Sequence, residues 1–147
     1  MTRKNTILSL VAAACALFTA SLHAQATNVA KFTTSFSFYV NGQKLPAASY
    51  LVIKPAIYSN VLLIQEAGAS HSAFVLYNPT QSRTPVVQGE ATFHQYGDID
   101  YLRALTVPGD ESGMEMPESP DEKKVAMGTQ NVASTKVVSL QTDVAGD

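Results

Sequence analysis

Residues 32–42 read Phe32-Thr33-Thr34-Ser35-Phe36-Ser37-Phe38-Tyr39-Val40-Asn41-Gly42, and this stretch decides the fold class. Phe32, Phe36, Phe38 and Val40 fall on one side of an extended chain, with Thr33, Ser35 and Ser37 on the other. Successive side chains of a strand point to opposite faces, so this alternation predicts a half-buried β-strand from Phe32 to Val40. Asn41-Gly42 is the pair best suited to the two positive φ angles of a type I′ hairpin turn. The chain returns through Lys44-Leu45 and meets Pro46, which cannot donate to a ladder and marks an edge or a corner.

The same grammar continues towards the C-terminus. Tyr50 to Lys54 reads as a strand stopped by Pro55, and Val61 to Gln65 as another, broken near Gly68 before a return from Ser72 to Tyr77. Asn78-Pro79 through Thr84-Pro85, which holds Arg83, reads as a polar loop. Val86 to Tyr96 is a long strand candidate with Gly89 as a bulge inside it. Gly97-Asp98 makes a turn, Tyr101 to Val107 runs back to Pro108-Gly109, and Thr135 to Gln141 is the last strand. Turn signals every 8–12 residues or so are the signature of a sandwich or barrel. The predicted fold is all-β, a small antiparallel β-barrel or two-sheet sandwich of about eight strands with one short C-terminal helix.

That helix is well specified. Ser119-Pro120-Asp121-Glu122 places Ser at the N-cap, Pro at the first helical position and Glu at the third. The Ser and Glu side chains can satisfy each other's backbone donors, and Pro loses nothing where its missing N–H has no partner. Asp121 and Glu122 face the positive end of the helix dipole. With Gly128 as its stop, the helix is predicted over Pro120 to Met127.

Towards the N-terminus the reading changes. Arg3 and Lys4 precede an apolar run from Ile7 to Ala20, with small residues at Ala24 and Ala26. Charged region, apolar region and small-residue cleavage site together predict a Sec-type signal peptide, residues 1–24, cleaved after Ala24 or alternatively after Ala26. The run is shorter than the roughly 20 residues that span a bilayer. Lipid attachment at Cys15 is disfavoured, because Ala12 stands where a lipobox has a large apolar residue. The expected product is a single β domain, residues 25–142, with a disordered tail at 143–147. It is expected to be secreted or periplasmic, with no transmembrane span.

Cleavage removes the only cysteine, so disulfides, thiolate catalysis and cysteine metal sites are excluded from the mature chain. It also removes two of the ten basic residues, leaving eight against twelve acidic ones, a net charge of −4. A mildly acidic domain lacks the Lys and Arg clusters that nucleic acid requires. Charged residues make up 15% of the chain, below the roughly 25% of ordinary soluble domains. Six acidic residues nonetheless crowd Asp110 to Glu122, read as a solvated loop and helix start. Met114, Met116 and Met127 around it could make an adaptable contact surface or pack the helix.

Three segments resemble a family of small secreted bacterial β proteins of acidobacterial type. Val40 to Ala47 with Tyr50 is similar to its V-x-G-x-x-L-P-A-G-x-Y element. Phe93-His94-Gln95-Tyr96-Gly97-Asp98 with Leu102 is similar to its F-H-x-Y-G-D-x-Y-F-L segment. Met116-Pro117-Glu118-Ser119 with Glu122 is similar to its L-P-x-S-x-x-E helix start. The resemblance spans about residues 32–128 and implies a compartment and an architecture, without assigning chemistry. Ala48, Asp100 and Thr106 depart from the pattern, which has Gly, Tyr and Trp there. The chain has no Trp, so an aromatic surface role at Thr106 does not carry over.

The densest polar group is His94, Tyr96, Asp98, Asp100, Tyr101 and Arg103. A hairpin at Gly97-Asp98 would bring its two sides together, with His94 and Tyr96 on one face and Phe93 and Gln95 on the other. An imidazole near the Asp98 carboxylate could serve as general acid or base, with Arg103 holding an anion. No nucleophile motif accompanies them, and ordinary turn chemistry explains Asp98 equally well. For a metal, only His71 and His94 remain as imidazoles, in no zinc spacing. Asp98-x-Asp100 and Asp110-Glu111 with Glu115 lack the full calcium-loop pattern. No metal and no cofactor is expected. Phe36, Phe38 and Tyr50 could line a ligand cavity in a closed barrel, or be its packed core.

Three functions follow as expectations. The first is a non-enzymatic secreted domain with a binding or structural role in the periplasm or envelope. Its contact surface would be the acidic segment or an edge strand, and its partner a protein or polymer. The second is a barrel carrier of a small apolar ligand held against Phe36, Phe38 and Tyr50. The third is a hydrolase using His94 and Asp98. Room beside the three rings separates the second from the first. A carboxylate within hydrogen-bond reach of His94 in a pocket would favour the third.

Overall fold

A computed structural model describes residues 27–68, 70–82, 84–128 and 133–142. The predicted signal segment with its expected cleavage after Ala24, and also Cys15, Arg83 and residues 143–147, lie outside the described residues. Eleven strands and one helix are formed among them. The strands are β1 (Thr27–Thr33), β2 (Phe38–Val40), β3 (Gln43–Leu45), β4 (Ser49–Lys54), β5 (Val61–Glu66), β6 (Ser72–Leu76), β7 (Asn78–Gln81), β8 (Gly89–Tyr96), β9 (Ile99–Thr106), β10 (Ser112–Glu115) and β11 (Ser134–Gln141). The helix α1 spans Pro120–Gly128.

All belong to one sheet, ordered β3-β2-β9-β8-β11-β1-β4-β5-β6. Every pairing is antiparallel except β2 with β9, which run parallel at Tyr39 and Tyr101. Tyr77 alone separates β6 from β7; β7 pairs with β10, and β10 pairs with the last residues of β9. The path of pairings thus returns to β9, and the sheet is nearly closed into a barrel. The remaining gap lies between β6 and β2, where Asn41 Nδ2 donates to Phe74 O at 3.3 Å. Near-closure leaves few unpaired edge groups.

The interior is a cluster of rings. Phe32, Phe38, Tyr50 and Phe93 are fully or almost fully buried, with centroids 5.1–6.2 Å apart across four strands. Leu45, Leu62, Ile64, Leu105 and Met116 fill the space around them. Each such side chain contributes about 1.5–3 kcal/mol by leaving water, so this packed interior is the main stabiliser of a domain without a disulfide.

Several local expectations hold. Asn41 and Gly42 both take positive φ, 48° and 79°, as a type I′ turn requires. Ser119 Oγ accepts the Glu122 backbone N–H at 3.2 Å, as the predicted N-cap requires. The helix α1 ends one residue later than predicted.

Other expectations are corrected. The Phe32–Val40 strand is two strands, broken over Thr34–Ser37. Phe32 and Phe38 both point inward, but β1 pairs with β4 and β11 whereas β2 pairs with β3 and β9. The chain turns a corner between two walls, and Thr34 N bonds Ala48 O there at 3.0 Å. The Asn78–Pro85 loop contains β7, where Pro79 lies opposite Met114. Proline is tolerated because β7 has a partner on one side only. The acidic loop likewise contains β10, paired on both sides. Met114 and Met116 are buried in the core rather than offered as a contact surface.

Gly89 starts β8 rather than bulging within it, and the register shift lies between Thr92 and Phe93. A Cβ on Gly89 would sit 2.5 Å from Pro108 Cδ and within 2.9 Å of two carbonyl oxygens, Leu140 O and Thr106 O. A close approach of three chain segments explains this glycine.

Candidate functional site

The β8–β9 hairpin carries the predicted polar group. Its turn has positive φ at Gly97 (61°), and Tyr96 lies opposite Ile99. Phe93 and Leu102 pair on the inner face and enter the core. His94 and Tyr101 pair on the outer face, where Tyr96 and Arg103 join them by alternation. Tyr39 extends the row from β2: its ring stacks on Tyr101 at 5.4 Å, Tyr101 meets Tyr96 edge-on at 5.9 Å, and Tyr96 meets His94 at 6.5 Å.

Helix α1 closes over this outer face through a carboxylate. Glu122 is its one buried residue, only 2% exposed. Tyr96 OH donates to Glu122 Oε1 at 3.4 Å, while Arg103 Nη1 lies 3.7 Å from Oε2 and His94 Nδ1 3.7 Å from Oε1. Arg103 Nη2 reaches Glu115 Oε1 at 3.8 Å. Burial pushes the Glu122 carboxyl above its ordinary range, while the Arg103 guanidinium pulls it down. Burial and then Arg103 lower the His94 imidazole. Tyr96 and Tyr101 are raised by burial first and by the Glu122 charge second. Burial thus opposes the charge of Glu122 and of His94, and the Arg103 guanidinium favours the one and disfavours the other. Among the described residues, none hydrogen-bonds Arg103 Nε or Nη1, or His94 Nδ1.

His94 and Arg103 are therefore brought together as predicted, and Asp98 is not. Asp98 stands exposed at the hairpin tip, and the carboxylate beside His94 is Glu122. The 3.7 Å separation exceeds hydrogen-bond reach. The signal for Glu122 was its place in the capping box, which marks it as helical without telling where its carboxylate goes. Asp100 takes the opposite face of β9, where it accepts from Lys136 Nζ at 3.0 Å. The same ammonium lies 4.5 Å over the Phe36 ring.

Phe38 and Tyr50 sit in the middle of the interior, fully buried against each other and their neighbours. The Tyr50 hydroxyl donates to Pro46 O, and burial with the nearby Glu66 charge pushes its pKa to about 12. Phe36 is partly buried and meets Phe93 edge-on at 5.2 Å. His71 pairs with Glu66 at 2.6 Å in the β5–β6 turn. Among the described residues, no three His, Cys, Asp or Glu side chains are placed to hold a metal ion, and no helix is long and apolar enough to cross a membrane.

In comparisons with known proteins, no family model, curated protein or solved structure matches the chain.

A second surface emerges only from the registers. Tyr50-Leu-Val-Ile53, Val61-Leu-Leu-Ile64 and Ala73-Phe-Val-Leu76 are apolar at every position. Tyr50, Val52, Leu62, Ile64, Ala73 and Val75 face the core. Their alternates take the other face and line up across three strands, Ile53 opposite Leu63 opposite Phe74 and Val61 opposite Leu76; Ile53 is buried there, and Val61 and Leu63 are partly buried. Phe74 is 58% exposed and Leu76 61%. Strands apolar on both faces are ordinarily covered on both, yet here the second face of β6 meets solvent at Phe74 and Leu76.

Proposed function

We propose that this chain is a secreted, non-enzymatic β domain with a binding or structural role in the periplasm or cell envelope, in line with the family resemblance of its sequence. Its contact surface is the outer face of β4, β5 and β6. One observation carries this reading: the exposed apolar row built on Phe74 and Leu76, at positions where an ordinary half-buried strand is polar. The acidic segment is less suited to contact, since β10 takes part of it and Glu122 is buried. Mutual contact of the rings of Phe36, Phe38, Tyr50 and Phe93 supports a packed core over a carrier cavity. The distance of Asp98 from the His94 cluster leaves the hydrolase reading without its acid–base pair.

Hydroxyl-radical footprinting tests the proposal. The full-length gene product is oxidised in the periplasm of an expressing cell and, separately, as dilute purified protein. The expected result is lower oxidation of Phe74 and Leu76 in the envelope. Equal oxidation in both settings would overturn the contact surface. A retained small-molecule mass in native mass spectrometry would overturn the non-carrier reading.

A further inference from the structure

We propose that the outer face of β8 and β9 around Arg103 is a binding site for a carboxylate ligand, and that α1 is an autoinhibitory lid whose Glu122 side chain holds the ligand's place. This reading does not depend on the β4–β5–β6 contact surface. The first argument is the cradle itself. Tyr96 OH, His94 Nδ1 and the Arg103 guanidinium converge from two strands on one carboxylate. Charge-assisted N–H···O bonds run about 2.7–2.9 Å, and the Glu122 oxygens stop 3.7 Å from both Arg103 Nη1 and His94 Nδ1. Arg103 is buried, yet its Nε and Nη1 hydrogen-bond nothing among the described residues, and neither does His94 Nδ1. Buried polar groups ordinarily find partners. Glu122 belongs to a helical turn tied by Ser119 Oγ, so its carboxylate fills the cradle without reaching hydrogen-bond distance of these nitrogens. A carboxylate free of the helix can close that distance.

The second argument is how lightly the lid is held. A surface helix ordinarily docks by an apolar stripe, whereas α1 docks by a carboxylate. Glu122 is its one buried residue; Val125 and Ala126 are half-buried, and Met127 is 82% exposed. Its nine residues fall below the roughly 12–15 at which an isolated helix becomes stable in water. The chain before it is firmly fixed, with Met116 buried in the core and its N–H bonded to Arg103 O at 2.8 Å. Pro117 and Glu118 are exposed, so α1 can lift about them without unpacking the interior. The third argument is charge. Glu115 and Glu118 lie within electrostatic reach of His94, and Asp121 of Tyr101. One guanidinium among these carboxylates disfavours a phosphate dianion, while a carboxylate ligand replaces Glu122 like for like.

Titration of Glu122→Ala with acetate, followed by the NMR signals of the His94 ring and the Arg103 Nε–H, tests the proposal against sodium chloride at equal ionic strength. The expected dissociation constant is roughly 1–100 mM, ordinary for so small a ligand. In the wild type it should be weaker by about tenfold or more, because the lid-open form is a minor state. Arg103→Met with Glu122→Leu lacks the cradle and should show no saturable shift of His94. Absence of a saturable shift in Glu122→Ala overturns the proposal, as does equal binding by the wild type, an equal response of the double variant, or tighter binding of phosphate than of acetate. N-acetylalanine and glucuronate separate a peptide C-terminus from a sugar acid. Tighter binding than acetate by either supports a ligand site and names the source, and weaker binding by both overturns it. Should Glu122→Ala fail to fold, hydrogen exchange of the wild type decides. Amides over 123–128 must then exchange about tenfold or more faster than those of β8 and β9, and exchange at the strands' rate overturns the lid.

Discussion

Replacing Glu122 with Ala removes the one buried residue by which α1 is anchored. The change leaves Arg103, 9% exposed, without its buried counter-ion, and it takes the acceptor from Tyr96 OH. Breaking a buried pair from one side costs about 3–5 kcal/mol, because the remaining charge stays in a poorly solvated place. The separations of 3.4–3.8 Å are long for charge-assisted hydrogen bonds, and Glu115 offers Arg103 a second, solvated carboxylate. Both point to the lower end, about 3 kcal/mol. For a domain of this size that corresponds to a fall in Tm of about 12 °C. Urea unfolding followed by tyrosine fluorescence would give the free energy, and hydrogen exchange over 120–128 would show the helix opening. The double variant Arg103→Met with Glu122→Leu should recover most of the loss, since an apolar pair replaces the ionic one without a stranded charge. A loss below about 1 kcal/mol for Glu122→Ala would refute the reasoning.

Three further outcomes follow from the same geometry. The folded His94 imidazole titrates below its ordinary value, so its contribution is present above about pH 6.5 and is lost as pH falls through the folded pKa. Glu122 is raised and works in the opposite sense at lower pH, so His94→Gln should flatten the decline in urea midpoint between about pH 7 and 5. Tyr50, raised to about 12, favours the folded state below its unfolded value near 10 and loses that contribution as pH climbs towards 12. Tyr50→Phe should cost about 1 kcal/mol at neutral pH by losing the bond to Pro46 O, and should shrink the alkaline loss seen in a spectrophotometric titration. Gly89→Ala forces a methyl against Pro108 and two carbonyls, and should lower stability by about 2–3 kcal/mol by chemical denaturation. An unchanged midpoint there would mean that the three segments can separate freely.

Local signals were legible because few residues decide them. The type I′ turn needs only two residues that accept positive φ, and Asn41-Gly42 supplies them. The N-cap needs only a Ser119 hydroxyl three residues before the backbone N–H of Glu122. Alternation identified Phe32, Phe38 and Tyr50 as apolar positions that share a core whichever way the sheet closes. An all-β chain with one short helix was readable on those grounds.

What tertiary structure decided depends on which distant segments meet. Ser112-Gly-Met-Glu115 carries almost no strand pattern and becomes β10 only because free edges of β7 and β9 lie on either side of it. The even spacing from Phe32 to Val40 hides a corner, since inward direction is preserved while the pairing partners change. Asp98 was the nearer carboxylate to His94 in sequence, but a two-residue turn holds it at the tip while the capped helix delivers Glu122 from 28 positions away. The apolar runs of β4, β5 and β6 announced strands without saying whether their second face is covered. Periodicity records the side chain's chemistry, whereas cover and pairing are properties of the closed sheet.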